Sequence, residues 1–365
     1  MRNCTLSILI IAILIACIGL LSIYSSTYEK ESKQWQDIYK RQLFRIALGL
    51  VFFFLMSRLN YRRIWDATYF LYALALFLLF LVFVLGIVRL GAQRWLKFAW
   101  FNFQPSEIVK LIIVIFLARY FSTKSSDDVS LRARKAGIIG TLFLPLFFIG
   151  VPMLLIMEQP DLGSALMIFF IFIAMLYLSG VRLKYIVILF VVIILSGPLM
   201  WHFLKDYQKD RLMVFLNPNI DPLGAGYTVI QSKIAIGSAG LFGKGWLSGT
   251  QSQLHFLPES HTDFIFATFA EEWGLFGCGV LLFLYFLLIR YGLMIARGTA
   301  DHFGKLLATG ISMLLCIQTF VNIAMNLGLA PVVGLPLPLM SYGGSSIFVT
   351  FVSLGILANI NRTRA

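Results

Sequence analysis

Residues 258–263 read Pro-Glu-Ser-His-Thr-Asp and run directly into the apolar stretch Phe264-Ile265-Phe266. A carboxylate at such a junction has two uses. It can cap a helix, since Ser260-x-x-Asp263 matches a capping box and acid is favoured at the positive end of a helix. It can also stand at a membrane surface as an acid or base beneath the loop that precedes it, and spacing alone does not choose between the two. Glu259, His261 and Asp263 alternate in the manner of metal ligands, but no fourth ligand is evident, so no metal site is predicted.

Three other segments concentrate polar groups where apolar ones are expected. Residues 91–110 carry Trp95, Trp100 and Phe103, the residues of an interfacial aromatic belt. The belt does not account for Glu107 and Lys110, which lie three apart on one face of an apolar helix. An intramembrane ion pair is costly unless it is paired or lines a wet cavity, so this pair is a functional candidate. Glu158-Gln-Pro-Asp161-Leu-Gly163 joins two apolar runs, either as a tight turn with Asp161 opening the next helix or as one wall of a polar cavity. Residues 330–346 hold Pro331, Gly334, Pro336, Pro338, Gly343 and Gly344. Backbone broken in this way at membrane depth is tolerated only inside protein or against water, where Ser341, Tyr342 and the following amides can donate to an anion.

The elements that must position these groups follow from composition. Of the 365 residues, 59% are hydrophobic and 13% charged, far from the usual soluble balance of about 45–50% and about 25%. That is enough apolar chain for ten spans of about 20 residues each. It excludes a disulfide scaffold, a disordered tail protein, a coiled coil and a soluble enzyme. The apolar runs fall at 6–25, 43–58, 68–88, 106–121, 137–157, 161–179, 185–203, 264–289, 305–325 and 344–360. The predicted fold is an all-α polytopic membrane protein of about ten transmembrane helices in one domain, 1–365, with a long extracytoplasmic loop, 204–262, between the seventh and eighth. The first run is too long for a cleaved signal and lacks a small-residue cleavage site. Loops of such length are usually functional, and the apolar stretch 227–236 predicts a re-entrant or interfacial helix within this one.

The net charge of +13 suggests nucleic acid in a soluble protein, but here cytoplasmic Lys and Arg suffice, and no nucleic acid is expected. With both termini cytoplasmic, Arg62, Arg63, Lys124, Arg132, Arg134, Lys135, Arg182, Lys184, Arg290, Arg297, Arg362 and Arg364 lie inside, and most of the 17 acids lie outside. Cys4, Cys17, Cys278 and Cys316 form no CxxC, so neither a structural disulfide nor a zinc site is predicted. Gly237 to Lys244 lacks Walker A spacing, no nucleophile elbow occurs, and His202 and His302 read as structural.

These motifs resemble a known family. Gly91-Ala-Gln-Arg94-Trp95, Gln104-Pro-Ser-Glu107-x-x-Lys110, Gln159-Pro-Asp161-Leu-Gly163, Asp221-Pro-Leu-Gly-x-Gly-Tyr227, Gln231-Ser-Lys233-Ile-Ala-Ile-Gly-Ser238, Gly249-Thr-Gln-Ser-Gln-Leu254, Phe256-Leu-Pro-Glu259 and His261-Thr-Asp263-Phe-Ile-Phe266 are similar to those of the SEDS (shape, elongation, division, sporulation) proteins. The resemblance runs through all ten spans. Pro331 to Pro338 ahead of Ser341-Tyr-Gly-Gly-Ser-Ser346 resembles the elongation branch rather than the division branch, and the short N-terminus agrees. Ala239 stands where the family usually has glycine, and Trp273 where it usually has leucine.

The resemblance implies a peptidoglycan glycosyltransferase that polymerises lipid II on the outer face of the bacterial cytoplasmic membrane. It implies that Asp263 is the essential carboxylate, that Trp95 is functionally important, and that a class B penicillin-binding protein and elongation-complex proteins are partners. Joining lipid II to an undecaprenyl-diphosphate-linked glycan inverts the anomeric carbon, which needs one base and stabilisation of the departing diphosphate. Asp263 is assigned as general base. Arg94, Lys110 or Lys233, with a divalent cation as a further option, neutralise the diphosphate, and Glu107 orients Lys110. Gln104, Asp161, Glu259, His261, Ser341 and Tyr342 complete the expected substrate site. Two rivals remain: a lipid II flippase, against which the acids lie at one face rather than at mid-membrane, and a non-catalytic scaffold, which leaves Glu107, Lys110 and Asp263 unexplained.

Overall fold

The computed structural model describes residues 2–28, 37–89, 92–98, 101–123, 142–222, 224 and 226–363. Ten long helices occur among them, one for each apolar run. They are α1 (Arg2–Thr27), α2 (Ile38–Arg58), α3 (Arg62–Leu85), α4 (Pro105–Thr123), α5 (Leu144–Glu158), α6 (Leu162–Leu178), α7 (Leu183–Phe203), α11 (Ile265–Arg297), α12 (His302–Asn326) and α13 (Gly344–Thr363). Five of them, α1, α3, α11, α12 and α13, are long and apolar enough by themselves to cross a membrane. Several helices overrun their apolar runs: α3 starts at Arg62 and α11 continues to Arg297. Apolar character marks the stretch that meets lipid, whereas a helix continues while its hydrogen bonds can be made. Gly91, Trp100, Lys124, Arg132, Arg134, Lys135 and Arg364, named above, lie outside the described residues.

The connection between α7 and α11 contains α8 (Asp206–Leu216), a 3-10 turn (Pro218–Ile220), α9 (Tyr227–Gly237) and the short α10 (Thr250–Gln253). The predicted helix at 227–236 is therefore present as α9. It packs on α11 and α12, where the Ser232 hydroxyl donates to the Asn326 carbonyl at 2.7 Å.

One element departs from an all-helical expectation. β1 (Ile87–Arg89), β2 (Ala92–Phe98) and β3 (Phe101–Phe103) form a small antiparallel sheet in the order β1-β2-β3. Ile87 pairs with Trp95, and Leu96 with Phe103. Residues 92–98 carry no clean polar–apolar alternation that would announce a strand; as successive residues of β2, Arg94 and Trp95 point to opposite faces of the ribbon.

Helix α4 lies at the centre and is buried on nearly every side, against α3, α6, α12 and α13. Pro105 opens it at a position that needs no amide donor. Helices α2 and α13 approach closely: a side chain at Gly355 would meet the Phe53 carbonyl at 2.7 Å, the small-residue contact that lets membrane helices pack.

Candidate functional site

Asp263 sits at the entry to α11, at the end of the bundle that carries the long α7–α11 connection. The turn before it is tight. Glu259 has a φ of 52°, the Thr262 amide donates to the Glu259 carbonyl at 3.1 Å, and the Thr262 hydroxyl donates to the Glu259 carboxylate at 2.9 Å. The N-cap of α11 is Phe264, with no side-chain cap, so the capping-box alternative is not what the chain adopts. Two asparagines one turn apart on α12 fix the Asp263 backbone instead. Asn322 and Asn326 are fully buried and donate to the Asp263 carbonyl at 3.1 and 3.0 Å. Asn326 also accepts from the Ala267 amide at 3.2 Å.

The proline- and glycine-rich run 330–346 is stitched to the same frame. Asn322 donates to the Leu335 carbonyl at 2.7 Å and Gln318 to the Pro336 carbonyl at 2.9 Å. Ser341 accepts from the Leu337 amide at 2.8 Å and donates to the Thr262 carbonyl at 2.6 Å. The Tyr342 amide donates to the His261 carbonyl at 2.9 Å. The broken backbone is thus satisfied by buried side chains, as a polar chain at membrane depth requires. Ser341 is committed to these contacts. The Tyr342 ring lies 5.7 Å from that of His261 and 4.4 Å beneath the Arg45 guanidinium.

Gly334, at φ 72°, opens the space in front of Asp263. A Cβ there would lie 3.5 Å from an Asp263 carboxylate oxygen and 3.9 Å from Arg94 Nη1. Arg94 in turn stands 3.9 Å from Asp161. Asp161 is the N-cap of α6, accepting from the Ser164 amide at 3.1 Å, and it also accepts from Gln104 at 3.1 Å and from Ser106 at 3.0 Å. It serves both readings offered for its segment: it caps a helix and forms part of the wall beside Arg94.

A residue that sequence reasoning missed completes the cluster. Arg211 on α8 donates to the Val332 carbonyl at 3.1 Å, and its charge acts on Asp263 together with that of Arg94. Burial, then the neighbouring Arg94, lower the pKa of Arg211. Arg211 lies three residues from each of Gln208 and Val214, the two buried residues of α8, a placement that only the packing reveals. Asp263 is held well above an ordinary aspartate, at about 6. Desolvation is the main cause and the charge of Glu259 adds to it, while Arg94 and Arg211 oppose it and Asp161 adds slightly. A partly accessible carboxylate beside two guanidiniums, titrating near neutrality, is suited to accept a proton while the cations receive an anion.

The remaining predicted residues lie around this centre at different depths. Glu107 and Lys110 pair at 2.7 Å in the interior, at 4% and 1% side-chain exposure. Lys110 also donates to Gln318 at 3.2 Å. Lys110 is thereby occupied, and it braces the 330–346 run through Gln318 rather than facing an anion itself. The Lys233 side chain packs across Gly328. Trp95 is half-buried on β2, opposite Ile87. Glu259 is exposed and His261 buried. Among the described residues, no three His, Cys, Asp or Glu side chains are placed to hold a metal ion, so the donor set does not fit a preformed cation site. A groove of about 530 Å³ runs between Leu241, Phe242 and the α11 residues Leu275, Phe276 and Phe283. Its lining is apolar and holds no group able to act as an acid, a base or a nucleophile.

The model of the FtsW/RodA/SpoVE cell cycle proteins matches residues 5–365. The peptidoglycan glycosyltransferase MrdB of Escherichia coli K12 is 44% identical over 336 residues, covering 91% of this chain and 88% of that relative. A probable peptidoglycan glycosyltransferase FtsW of Geobacter sulfurreducens is 37% identical over 364 residues, covering 98% and 94%. Among solved structures, a chain from a study of how a peptidoglycan synthase complex coordinates polymerization and crosslinking superposes with a TM-score of 0.81 at 32% identity, covering 98% of this chain and 97% of that one. The rod shape determining protein RodA of Thermus thermophilus superposes with a TM-score of 0.71 at 27% identity, covering 98% and 96%.

Proposed function

Because this chain belongs to the FtsW/RodA/SpoVE (SEDS) family of cell cycle proteins, a family of multi-pass membrane proteins, we propose that Asp263 is the base with which it performs glycosyl transfer. The chain is a peptidoglycan glycosyltransferase, and the flippase alternative is not favoured. In the proposed reaction, the 4-hydroxyl of one lipid-linked disaccharide attacks the anomeric carbon of another. The new C1–O4 bond forms as the bond from C1 to the diphosphate oxygen breaks. The hydroxyl proton passes to Asp263, and undecaprenyl diphosphate departs. One base suffices because inversion needs no glycosyl-enzyme. The observation that carries this reading is the uncapped Asp263 carboxylate, raised to about 6 beside Arg94 and Arg211. The two guanidiniums supply preorganised charge for the leaving diphosphate, a role that passes from Lys110 and Lys233 to Arg211. Asp161, itself held by Gln104 and Ser106, orients Arg94.

The test is polymerisation in detergent. Purified protein given lipid II, with a class B penicillin-binding protein whose transpeptidase site is disabled, is expected to make glycan polymer. Detergent removes the two compartments, so a flippase yields no product there. A partner of that class is supported by the likeness to a chain from a synthase complex that couples polymerization to crosslinking, and elongation-complex proteins would assemble on the same unit, 1–365.

We infer that the site faces the outer side of the cytoplasmic membrane. If successive helices alternate in direction, Arg62 and Arg63 at the start of α3, Arg182 and Lys184 at the start of α7 and Arg297 at the end of α11 fall at the end opposite the α7–α11 connection, in keeping with the positive-inside rule for cytoplasmic termini. Reporter fusions at Ser126 and at the C-terminus are expected to read cytoplasmic, and one near Gly224 external. A cytoplasmic signal at Gly224 would put Asp263 in the wrong compartment for its substrate.

A further inference from the structure

Helix α11 is broken nine residues from its start. Gly274 has φ 64° and ψ −165°, a conformation outside the helical region, so the helix kinks there. The connection 239–245 fills the gap. The amides of Lys244 and Gly245 donate to the carbonyls of Glu271 and Glu272 at 2.9 and 3.0 Å, and those of Leu275 and Phe276 donate to the carbonyls of Gly240 and Leu241 at 3.1 and 3.0 Å. The contact is backbone on backbone: a side chain at Gly243 would run into the Glu272 carbonyl, and one at Gly274 into the Gly243 amide. A side-chain latch lies over the same join. Lys244 Nζ is 2.6 Å from Glu271 Oε1. The Thr250 hydroxyl donates to that oxygen at 2.9 Å, and the Gln251 amide to Oε2 at 3.1 Å. Glu271 is fully buried.

Ile265–Trp273 is therefore a short helix of its own, held at its start by Asn322 and Asn326 and at its end by the 239–245 strap. Asp263 leads into it, and Glu271 lies eight residues further on, about 12 Å along the axis at the helical rise. At Gly274 the helical backbone is interrupted, and the strap, bonded to residues on both sides of the break, sets the orientation of the short helix.

We propose that Lys244 and Glu271 are positioning residues for the glycosyl transfer, their ion pair fixing the half-helix and with it the reach of Asp263 toward the acceptor hydroxyl. This rests on Asp263 being the base. The pair does not touch the space in front of Asp263, so it acts on turnover rather than on substrate binding. A displacement of a reacting group by about 1 Å can cost about 10²-fold in rate.

The test measures kcat and KM for glycan polymerisation in detergent, with the folded fraction followed by thermal melting. Lys244→Met is expected to lower kcat per folded molecule at least about 10-fold at unchanged KM, and Lys244→Arg to restore most of the rate. Wild-type kcat from folded Lys244→Met, or a loss that merely tracks lost folded protein, overturns the proposal. Should Lys244→Met fail to fold, Glu271→Gln carries the same test, since the amide retains an acceptor for Thr250 and Gln251. Asp263→Asn in the same assay separates the two readings. An inactive Asp263→Asn beside a fully active latch variant removes the latch alone, whereas an active Asp263→Asn removes the base assignment beneath it.

Discussion

Asp263→Asn is expected to fold normally and make almost no glycan polymer. Asparagine keeps the size and polarity of the side chain and removes only its ability to take a proton. A positioned general base contributes about 10²–10⁴-fold, so the loss should be near complete at saturating lipid II. Asparagine is about as good a helix cap as aspartate, so a merely capping Asp263 would tolerate the change, and Phe264 already serves as the uncapped N-cap of α11. The wild-type pH profile provides a second handle. A general base works ionised, and desolvation holds the pKa of Asp263 at about 6. The kcat/KM of the wild type is therefore expected to climb as pH rises through about 6 and to collapse below it, a limb that Asp263→Asn should lack. Polymer at wild-type level from the asparagine variant would move the search for the base to Glu259, the nearest other carboxylate of the turn.

Removing Glu107 is expected to damage the whole frame. Lys110 is 1% exposed and sits 2.7 Å from Glu107, so Glu107→Ala strands a buried ammonium with Gln318 as its remaining partner. Breaking such a pair from one side costs about 3–5 kcal/mol. Thermal melting should therefore fall sharply, and activity with it, because Lys110 holds Gln318 and Gln318 holds the Pro336 carbonyl behind Gly334. Lys205→Ala is the control: its pair with Glu158 is exposed on both sides and contributes at most about 1 kcal/mol. Replacing Glu107 and Lys110 together by methionine removes both charges and should recover much of the stability. Full activity in that double variant would mean that the pair matters only for folding. A stable but inactive double variant would show that its polar link to the 330–346 run is needed for turnover.

The ten helices were legible in the chain alone, because each follows a run of apolar residues, a one-dimensional property. The sequence also singled out Asp263, Asp161 and the Glu107–Lys110 pair, since charge inside or beside an apolar run is conspicuous wherever the chain later goes. The i, i+3 spacing of the pair was already a statement about contact, because a single helix supplies the geometry. What depended on elements distant in the chain could not be read in this way. Arg211 looked like one more basic residue of a long loop until α8 brought it against Val332, 121 residues away. Lys110 and Lys233 looked like equal candidates for an anion, until packing buried one against Gln318 and laid the other across Gly328. The capping box at Ser260–Asp263 had the right spacing, yet α12 took the Asp263 carbonyl with two asparagines and left the carboxylate free of the helix end. The Gly274 break closed only because a strap from the preceding loop brought its own amides and carbonyls. Local hydrogen bonding and hydrophobicity set which segments become helices, while the charges that share one desolvated space are chosen by packing between segments that the chain order does not place together.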